Sequence, residues 1–104
     1  MGSQRESVFE KKCIKELRKW PKSWWPPKVD SHSIRGIPDR IGIINGVCVA
    51  LEFKRSLSSL LNGSESTSLQ EFTLREIENA GGKGIFIYPE NKDQVFERLK
   101  GIYK

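Results

Sequence analysis

Two carboxylates in the middle of the chain are spaced so that a β-hairpin would bring them together. The Asn45-Gly46 dipeptide separates two β-rich runs, 41–44 and 47–53. It predicts a type I′ turn, because both central residues of that turn need positive φ. Ile44 then pairs with Val47, and moving outward along both strands one residue at a time puts Asp39 opposite Glu52. Directly opposed side chains share a face with Cβ atoms about 4.5–5.5 Å apart, so the spacing predicts a carboxylate pair at the open end of the hairpin.

Lys54 lies two residues after Glu52 and therefore projects from the same face. Like charges directly opposite each other destabilise a sheet, and partial burial raises a carboxyl pKa further. A divalent cation offsets this repulsion, since Mg²⁺ binds one or two carboxylates and completes its shell with water and substrate phosphate. In the alternative, Lys54 and Arg40 neutralise the carboxylates in a surface ion network. The sequence favours the metal site, because the network accounts for the charge balance but not for the convergence.

The ordered set Gly36-Ile37-Pro38-Asp39 and Glu52-Phe53-Lys54 resembles the signature of the PD-(D/E)xK nucleases. More narrowly, it resembles the VRR-NUC (virus-type replication-repair nuclease) group, in which an acidic residue on a first helix precedes the G-x-P-D turn and a glutamine, here Gln70, follows on the next helix. The resemblance covers about residues 6–90. It implies an α/β fold with a restriction-endonuclease-like PD-(D/E)xK core of order α-β-β-β-α-β and a C-terminal helix.

In function, the resemblance implies a metal-dependent endonuclease that hydrolyses phosphodiester bonds in branched or structured DNA during replication, recombination or repair. It also implies a phage or prophage source and a cytoplasmic place of action. Asp39, Glu52 and the backbone carbonyl of Phe53 would hold Mg²⁺ or Mn²⁺, and Lys54 would position or activate the attacking water and steady the phosphate charge. Such hydrolysis needs a deprotonated water, a Lewis acid on a nonbridging oxygen and an in-line approach.

Two further residues of the implied site lie on helices. Glu10 would approach the metal from the first helix, with Glu6 as the competing choice, and either could instead be a solvated helix acid. Gln70 would contact the water, Lys54 or a DNA phosphate. The alternative for Gln70 is an ordinary residue near the N-terminus of its helix.

Positive charge is concentrated at the beginning of the chain. Residues 1–40 carry ten Lys and Arg against five Asp and Glu, whereas residues 41–104 carry eight of each. With a net charge of +5, this distribution predicts a polyanionic partner such as DNA, and a solvated basic helix is the alternative. The expected DNA contacts are basic residues that track phosphates and two tryptophans that stack on an unpaired base: Lys11, Lys12, Lys15, Lys19, Lys22, Lys28, Arg35, Arg40, Trp24 and Trp25. The tryptophans could instead form a hydrophobic lid on the core.

The elements that must position these residues follow from periodicity and turn chemistry. Apolar residues at three- and four-residue intervals predict a helix over 4–20 that ends at Pro21. Pro26 and Pro27 exclude a helix interior, and residues 24–30 are expected to form an edge strand or an extended connector. The hairpin follows, and then residues 56–68, rich in Ser and Gly, predict a long mobile loop.

The second half of the chain predicts a helix, a strand and a final helix. Ser68 with Glu71 fits a capping box, and the helix that it opens would end at Gly81-Gly82. Its expected buried stripe is Leu69, Phe72, Ile77 and Ala80. A strand over 84–88 precedes a last helix capped by Asn91, with Val95, Phe96 and Leu99 turned inward.

The length of 104 residues predicts one domain, a VRR-NUC-like nuclease domain over 1–104. No run approaches the ~18 consecutive apolar residues that span a bilayer, and the polar N-terminus does not resemble a signal sequence. A soluble, intracellular protein without a membrane partner is therefore expected. Cys13, Cys48 and the single His32 cannot supply a four-ligand zinc site, and the cysteines do not indicate a disulfide scaffold.

One active site cuts one strand, so symmetric cleavage of a four-way junction predicts a homodimer. Two other functions stay open. The first is a non-catalytic DNA- or partner-binding module that keeps the fold, although intact Asp39, Glu52 and Lys54 argue against it. The second is a nicking or restriction-type nuclease that acts on linear duplex.

Overall fold

The chain folds around a four-stranded mixed sheet in the order β1-β2-β3-β4. The computed structural model describes residues 2–27, 36–62 and 65–104, with the side chains of 2–6, 65 and 66 left out. The elements run in this order: α1 (Gly2–Leu17), β1 (Ser23–Trp24), β2 (Arg40–Ile44), β3 (Val47–Phe53), α2 (Leu57–Leu61), α3 (Glu65–Asn79), β4 (Lys83–Ile87), α4 (Lys92–Lys100) and a 3₁₀ turn (Gly101–Tyr103). The prediction of an α/β fold is confirmed.

The β2–β3 hairpin has the register that the sequence predicts. Ile44 pairs with Val47, and the antiparallel ladder continues outward to Arg40 and Leu51. Asn45 and Gly46 have φ values of 48° and 81°, as the turn requires. Because the turn fixes the register, the residues next beyond the ladder on each strand are Asp39 and Glu52.

Helices cover both faces of the sheet. On one face, β3 and β4 contribute Val49, Leu51, Phe53, Ile85 and Ile87 to a core that α1 and α4 close. On the other face α3 packs against β4 so closely that a Cβ at Gly84 would lie 2.4 Å from the backbone oxygen of Leu74. The central strand β3 is therefore buried on both sides, which explains its continuous apolar run.

Crossing from β3 to the parallel strand β4 requires α2 and α3, and this connection differs from the sequence prediction. Residues 56–68 are not one loop, because α2 forms within them, with Ser56 Oγ accepting from the backbone N–H of Ser59 at 3.1 Å. The next helix begins at Glu65 rather than after Ser68, so Ser68 is not its cap.

The buried side of α3 also differs from the predicted stripe. Leu74 is buried, whereas Leu69 and Phe72 are 39% and 60% exposed, Ile77 is half-buried and Ala80 is exposed. The predicted stripe was wrong because the backbone of α3 packs directly on Gly84, and this contact sets the rotation of the helix about its axis. The helix backbone can come this close because glycine has no Cβ.

The remaining elements are close to their predicted positions. The first helix ends at Leu17, and Trp20 lies in the following turn with its ring 5.4 Å from that of Phe96. β1 covers Ser23–Trp24, so it begins one residue before the predicted 24–30 segment and includes only Trp24 of the described residues 24–27. It pairs with β2 at the sheet edge.

The last helix buries Val95, Phe96 and Leu99 as predicted. The side chain of Asn91 does not cap it, because Asn91 Oδ1 accepts from the backbone N–H of Tyr88 at 2.8 Å. Within the described residues, no helix has the length and apolar character needed to cross a membrane.

Candidate active site

Asp39 and Glu52 are joined by two reciprocal hydrogen bonds at the open end of the hairpin. The backbone N–H of Asp39 donates to Glu52 Oε1 at 3.0 Å, and the backbone N–H of Phe53 donates to Asp39 Oδ2 at 3.0 Å. Each carboxylate thus accepts from the strand that carries the other. The hairpin backbone therefore helps to hold both carboxylates in place.

Burial gives Glu52 unusual electrostatics. Its residue surface is only 2% exposed, and this burial, with the nearby charge of Asp39, raises the pKa of Glu52 to about 8. The hydrogen bond from the Asp39 backbone and the charge of Lys54 act in the opposite direction but do not outweigh it. Near neutral pH this carboxyl therefore keeps its proton unless a cation stabilises the charged form.

Lys54 comes directly after β3, and its side chain reaches across to the neighbouring elements. Its backbone N–H donates to the Ile87 carbonyl at 2.9 Å, which anchors the end of β3 to β4. Its Nζ donates to Gln70 Oε1 at 2.9 Å and to Thr67 Oγ1 at 3.3 Å, and lies 5.8 Å from the centre of the Phe86 ring. Of the three contacts expected for Gln70, the structure supplies the one to Lys54.

Glu10 and Arg40 form a buried ion pair that ties α1 to β2. Arg40 Nε lies 2.7 Å from Glu10 Oε2, and the two side chains are only 10% and 4% exposed. Arg40 Nη1 also donates to the Pro26 carbonyl at 3.3 Å. Arg40 therefore stabilises the interior, a role that sequence reasoning missed when it grouped Arg40 with the exposed phosphate contacts.

The oxygen donors of the site suit a hard divalent cation. Asp39 and Glu52 supply carboxylates, and Phe53 adds a backbone carbonyl beside them in sequence. Mg²⁺ and Mn²⁺ take such ligands and fill the rest of the shell with water and phosphate oxygens. In the described part of the chain, no group of three or more His, Cys, Asp or Glu residues is arranged to hold a metal ion. The fit of a divalent cation therefore depends on the carboxylates of Asp39 and Glu52.

The lysines of the N-terminal region that the structure describes lie at the surface. Lys11, Lys12, Lys15, Lys19 and Lys22 are all exposed. Two of them, Lys12 and Lys15, lie by the helical period on the side of α1 opposite its buried residues, and Lys19 lies in the turn that follows α1. Lys12 and Lys15 form an outward basic face of α1. Lys28, Arg35 and His32 lie outside the described residues, and so does the side chain of Glu6.

The two tryptophans have different environments. Trp24 is 59% exposed, whereas Trp25 is 4% exposed, with its indole N–H donating to Ser23 Oγ at 2.9 Å. A Cβ at Gly42 would lie 2.4 Å from the Trp25 ring. Trp25 thus belongs to the core, as the hydrophobic alternative predicts, whereas Trp24 is exposed.

Sequence reasoning did not find Thr67 or Phe86. Thr67 precedes Gln70 by three residues, so it shares a face with Gln70 once the helix begins at Glu65. That signal was hidden by the assumption that residues 56–68 form a loop. Phe86 gave no sequence signal, because its position depends on the parallel register that sets it beside Glu52.

No protein-family model, curated protein or solved structure matches this chain. The site must therefore be interpreted from its own geometry.

Proposed function

We propose that this chain is a divalent-metal-dependent DNA endonuclease with a restriction-endonuclease-like PD-(D/E)xK core. The observation that carries the proposal is the reciprocal hydrogen bonding of Asp39 and Glu52 at the end of a hairpin, with Lys54 two residues away on the same face. The order of a first helix, a β-meander, a crossover helix and a parallel strand is compatible with that core.

The proposed chemistry is hydrolysis of a phosphodiester. Asp39, Glu52 and the Phe53 carbonyl would hold Mg²⁺ or Mn²⁺, which supplies a Lewis acid for a nonbridging phosphate oxygen and lowers the pKa of water. The oxygen of water attacks phosphorus, one P–O ester bond breaks, and the leaving oxygen takes up a proton. Lys54 would donate to the phosphate, whose negative charge increases in the transition state.

Glu10 Oε2 is paired with Arg40 inside the protein, so we assign Glu10 to the fold first. Gln70 would act on the reaction through Lys54. The proposed substrate is branched or structured DNA, and a homodimer would provide the second site for symmetric junction cleavage. The family resemblance is the sole support for a phage or prophage source and cytoplasmic action.

Cleavage of a panel of end-labelled DNAs tests the function. The panel contains a four-way junction, a flap, a splayed arm, a linear duplex and a single strand, each with Mg²⁺, Mn²⁺ or EDTA. We expect metal-dependent cutting that is lost in Asp39→Asn, Glu52→Gln and Lys54→Ala, and kept in Asp93→Asn, an exposed carboxylate on α4.

The same panel separates the other two functions. Binding of DNA without cutting under both metals would indicate a non-catalytic module. Cutting of linear duplex alone would indicate a nicking or restriction-type nuclease. Full activity in Asp39→Asn or Glu52→Gln would overturn the assignment of the metal site.

A further inference from the structure

The ammonium group of Lys54 is contacted from two elements, α3 and β4. Thr67 and Gln70 approach from α3, three residues apart, with their oxygens 3.3 and 2.9 Å from Nζ. The ring of Phe86 approaches from β4, with its centre 5.8 Å from Nζ. A lysine side chain has four rotatable carbon–carbon bonds, so its head group takes a single position only when such contacts select one.

The chemistry of these contacts matters as much as their number. An ammonium has three donors and no acceptor. Two of the donors are used by neutral oxygens, a hydroxyl and an amide, and the aromatic face attracts the cation without carrying a charge. These contacts orient Lys54 without cancelling its positive charge, and they leave one donor for another acceptor. A carboxylate in place of Thr67 or Gln70 would neutralise the group instead.

We propose that Thr67 is a positioning residue that, together with Gln70, fixes the ammonium of Lys54 beside the Asp39–Glu52 pair. The inference rests on the proposed nuclease function and deepens it, because it assigns the orientation of Lys54 to a hydroxyl on α3. Thr67 does not touch the reacting atoms in this proposal. It acts through Lys54.

Three variants of one helix isolate the hydroxyl. Thr67→Val keeps the branched shape and removes Oγ1, whereas Thr67→Ser keeps a hydroxyl and removes the methyl group. Thr73→Val is the matched control, because Thr73 lies on the same helix and its Oγ1 donates to the Leu69 carbonyl at 3.2 Å. Far-UV circular dichroism and the midpoint of thermal unfolding show that each variant is folded.

The first measurement is independent of nuclease activity. Native protein is treated with limiting acetic anhydride, and acetylation of Lys54 is compared by mass spectrometry with that of the exposed Lys12. We expect Thr67→Val to raise the Lys54-to-Lys12 ratio several-fold, Thr67→Ser to restore it, and Thr73→Val to leave it unchanged.

The second measurement is the steady-state kinetics of cleavage on whichever DNA the wild type cuts. We expect Thr67→Val to lower kcat about tenfold, the size expected for losing one hydrogen bond to a charged group. KM should stay within about twofold, since the contact orients a group that acts in the transition state. Thr67→Ser should recover most of kcat.

An unchanged acetylation ratio in Thr67→Val, or a loss of kcat that serine does not rescue, would overturn the role of Thr67. A wild type that cuts none of the DNAs would instead contradict the nuclease function. In that case the acetylation ratio still decides whether Thr67 holds Lys54.

Discussion

The carboxyl of Glu52 holds its proton to a higher pH in the folded chain than in the unfolded one, where its pKa is near 4.5. Burial next to Asp39 is the cause, and the raised pKa of about 8 makes the native state bind more protons than the unfolded state between these two values. Stability falls with rising pH wherever the native state binds more protons. The contribution from Glu52 is therefore complete below about pH 4.5 and is lost as the pH rises through about 8.

We predict that the metal-free wild type loses stability between pH 5 and 8, and that the Glu52→Gln variant loses less over the same range. Glutamine has the shape of glutamate but cannot ionise, so the free energy of unfolding of this variant should fall less steeply as the pH rises. Urea unfolding at several pH values in EDTA measures both curves. Parallel curves for the two proteins would contradict the assignment of the buried proton to Glu52.

A divalent cation should reverse the loss at the upper end of this range, because it stabilises the ionised pair. A metal that binds only the native state, at a concentration one hundred times its Kd, raises the free energy of unfolding by about 2.7 kcal/mol. Urea unfolding at pH 8 with and without the metal should show this gain in the free energy of unfolding for the wild type. The gain should be absent in Glu52→Gln, which serves as the control.

The ion pair of Glu10 and Arg40 leads to a separate prediction about stability. Removing one partner of a buried pair leaves an uncompensated charge, at a cost of about 3–5 kcal/mol. We expect Glu10→Gln to lower the free energy of unfolding by about 3 kcal/mol, because Arg40 stays buried. Isothermal titration should give Mn²⁺ affinity within about twofold of the wild type, and a much larger loss of affinity would instead make Glu10 a metal ligand.

At the scale of secondary structure elements, the sequence predicts the β2–β3 hairpin correctly but misplaces the start and the buried side of α3. The Asn45-Gly46 turn is a local signal, since two adjacent residues with positive φ fix the register of every pair beyond them. The convergence of Asp39 and Glu52 was therefore predictable. The start and rotation of α3 were not, because its rotation depends on Gly84 in a strand that follows it in the chain, and its start lies in a Ser-rich stretch that favours turns.

The contact between α3 and β4 can be tested at Gly84. An alanine there would place its Cβ 2.4 Å from the Leu74 backbone oxygen, and backbone cannot give way as a side chain can. We predict that Gly84→Ala destabilises the protein by about 1–3 kcal/mol, the usual cost of overpacking. It should also raise the acetylation of Lys54, because displacing α3 moves Thr67 and Gln70.

Gly101→Ala is the matched control for this substitution. Gly101 has a φ of −61°, and a Cβ there would meet no atom within 4 Å. Its replacement should raise stability by about 0.5 kcal/mol through the unfolded chain. Equal effects of the two alanines in urea unfolding would show that close packing of α3 on β4 does not determine the position of the helix.

At the scale of the whole molecule, the exposed lysines that the structure describes in the N-terminal region and the carboxylate pair occupy different places. Lys12 and Lys15 lie on the outward side of α1 and Lys19 lies in the turn after it, whereas Asp39 and Glu52 lie at the open end of the hairpin. A DNA that contacts both the lysines and the carboxylate pair would extend around α1. Under the proposed nuclease function, these lysines would hold phosphates away from the cleavage point and contribute affinity without base reading.

The salt dependence of DNA binding measures how many of these lysines contact phosphate. On B-DNA the slope of log K against log salt concentration is about −0.9 for each neutralised phosphate. Replacing Lys12, Lys15 and Lys19 together by glutamine should make the slope less steep by about 2.7. Fluorescence anisotropy with a labelled duplex, in EDTA to prevent cleavage, gives the slope.

A second triple variant, Lys83, Lys100 and Lys104 to glutamine, lowers the net charge of +5 by the same three units but lies in the neutral part of the chain. We expect its slope to match that of the wild type, because counterion release depends on phosphates contacted rather than on total charge. Equal changes in the two triple variants would mean that only the overall field attracts DNA. In that case α1 would be the solvated basic helix that the sequence also allowed.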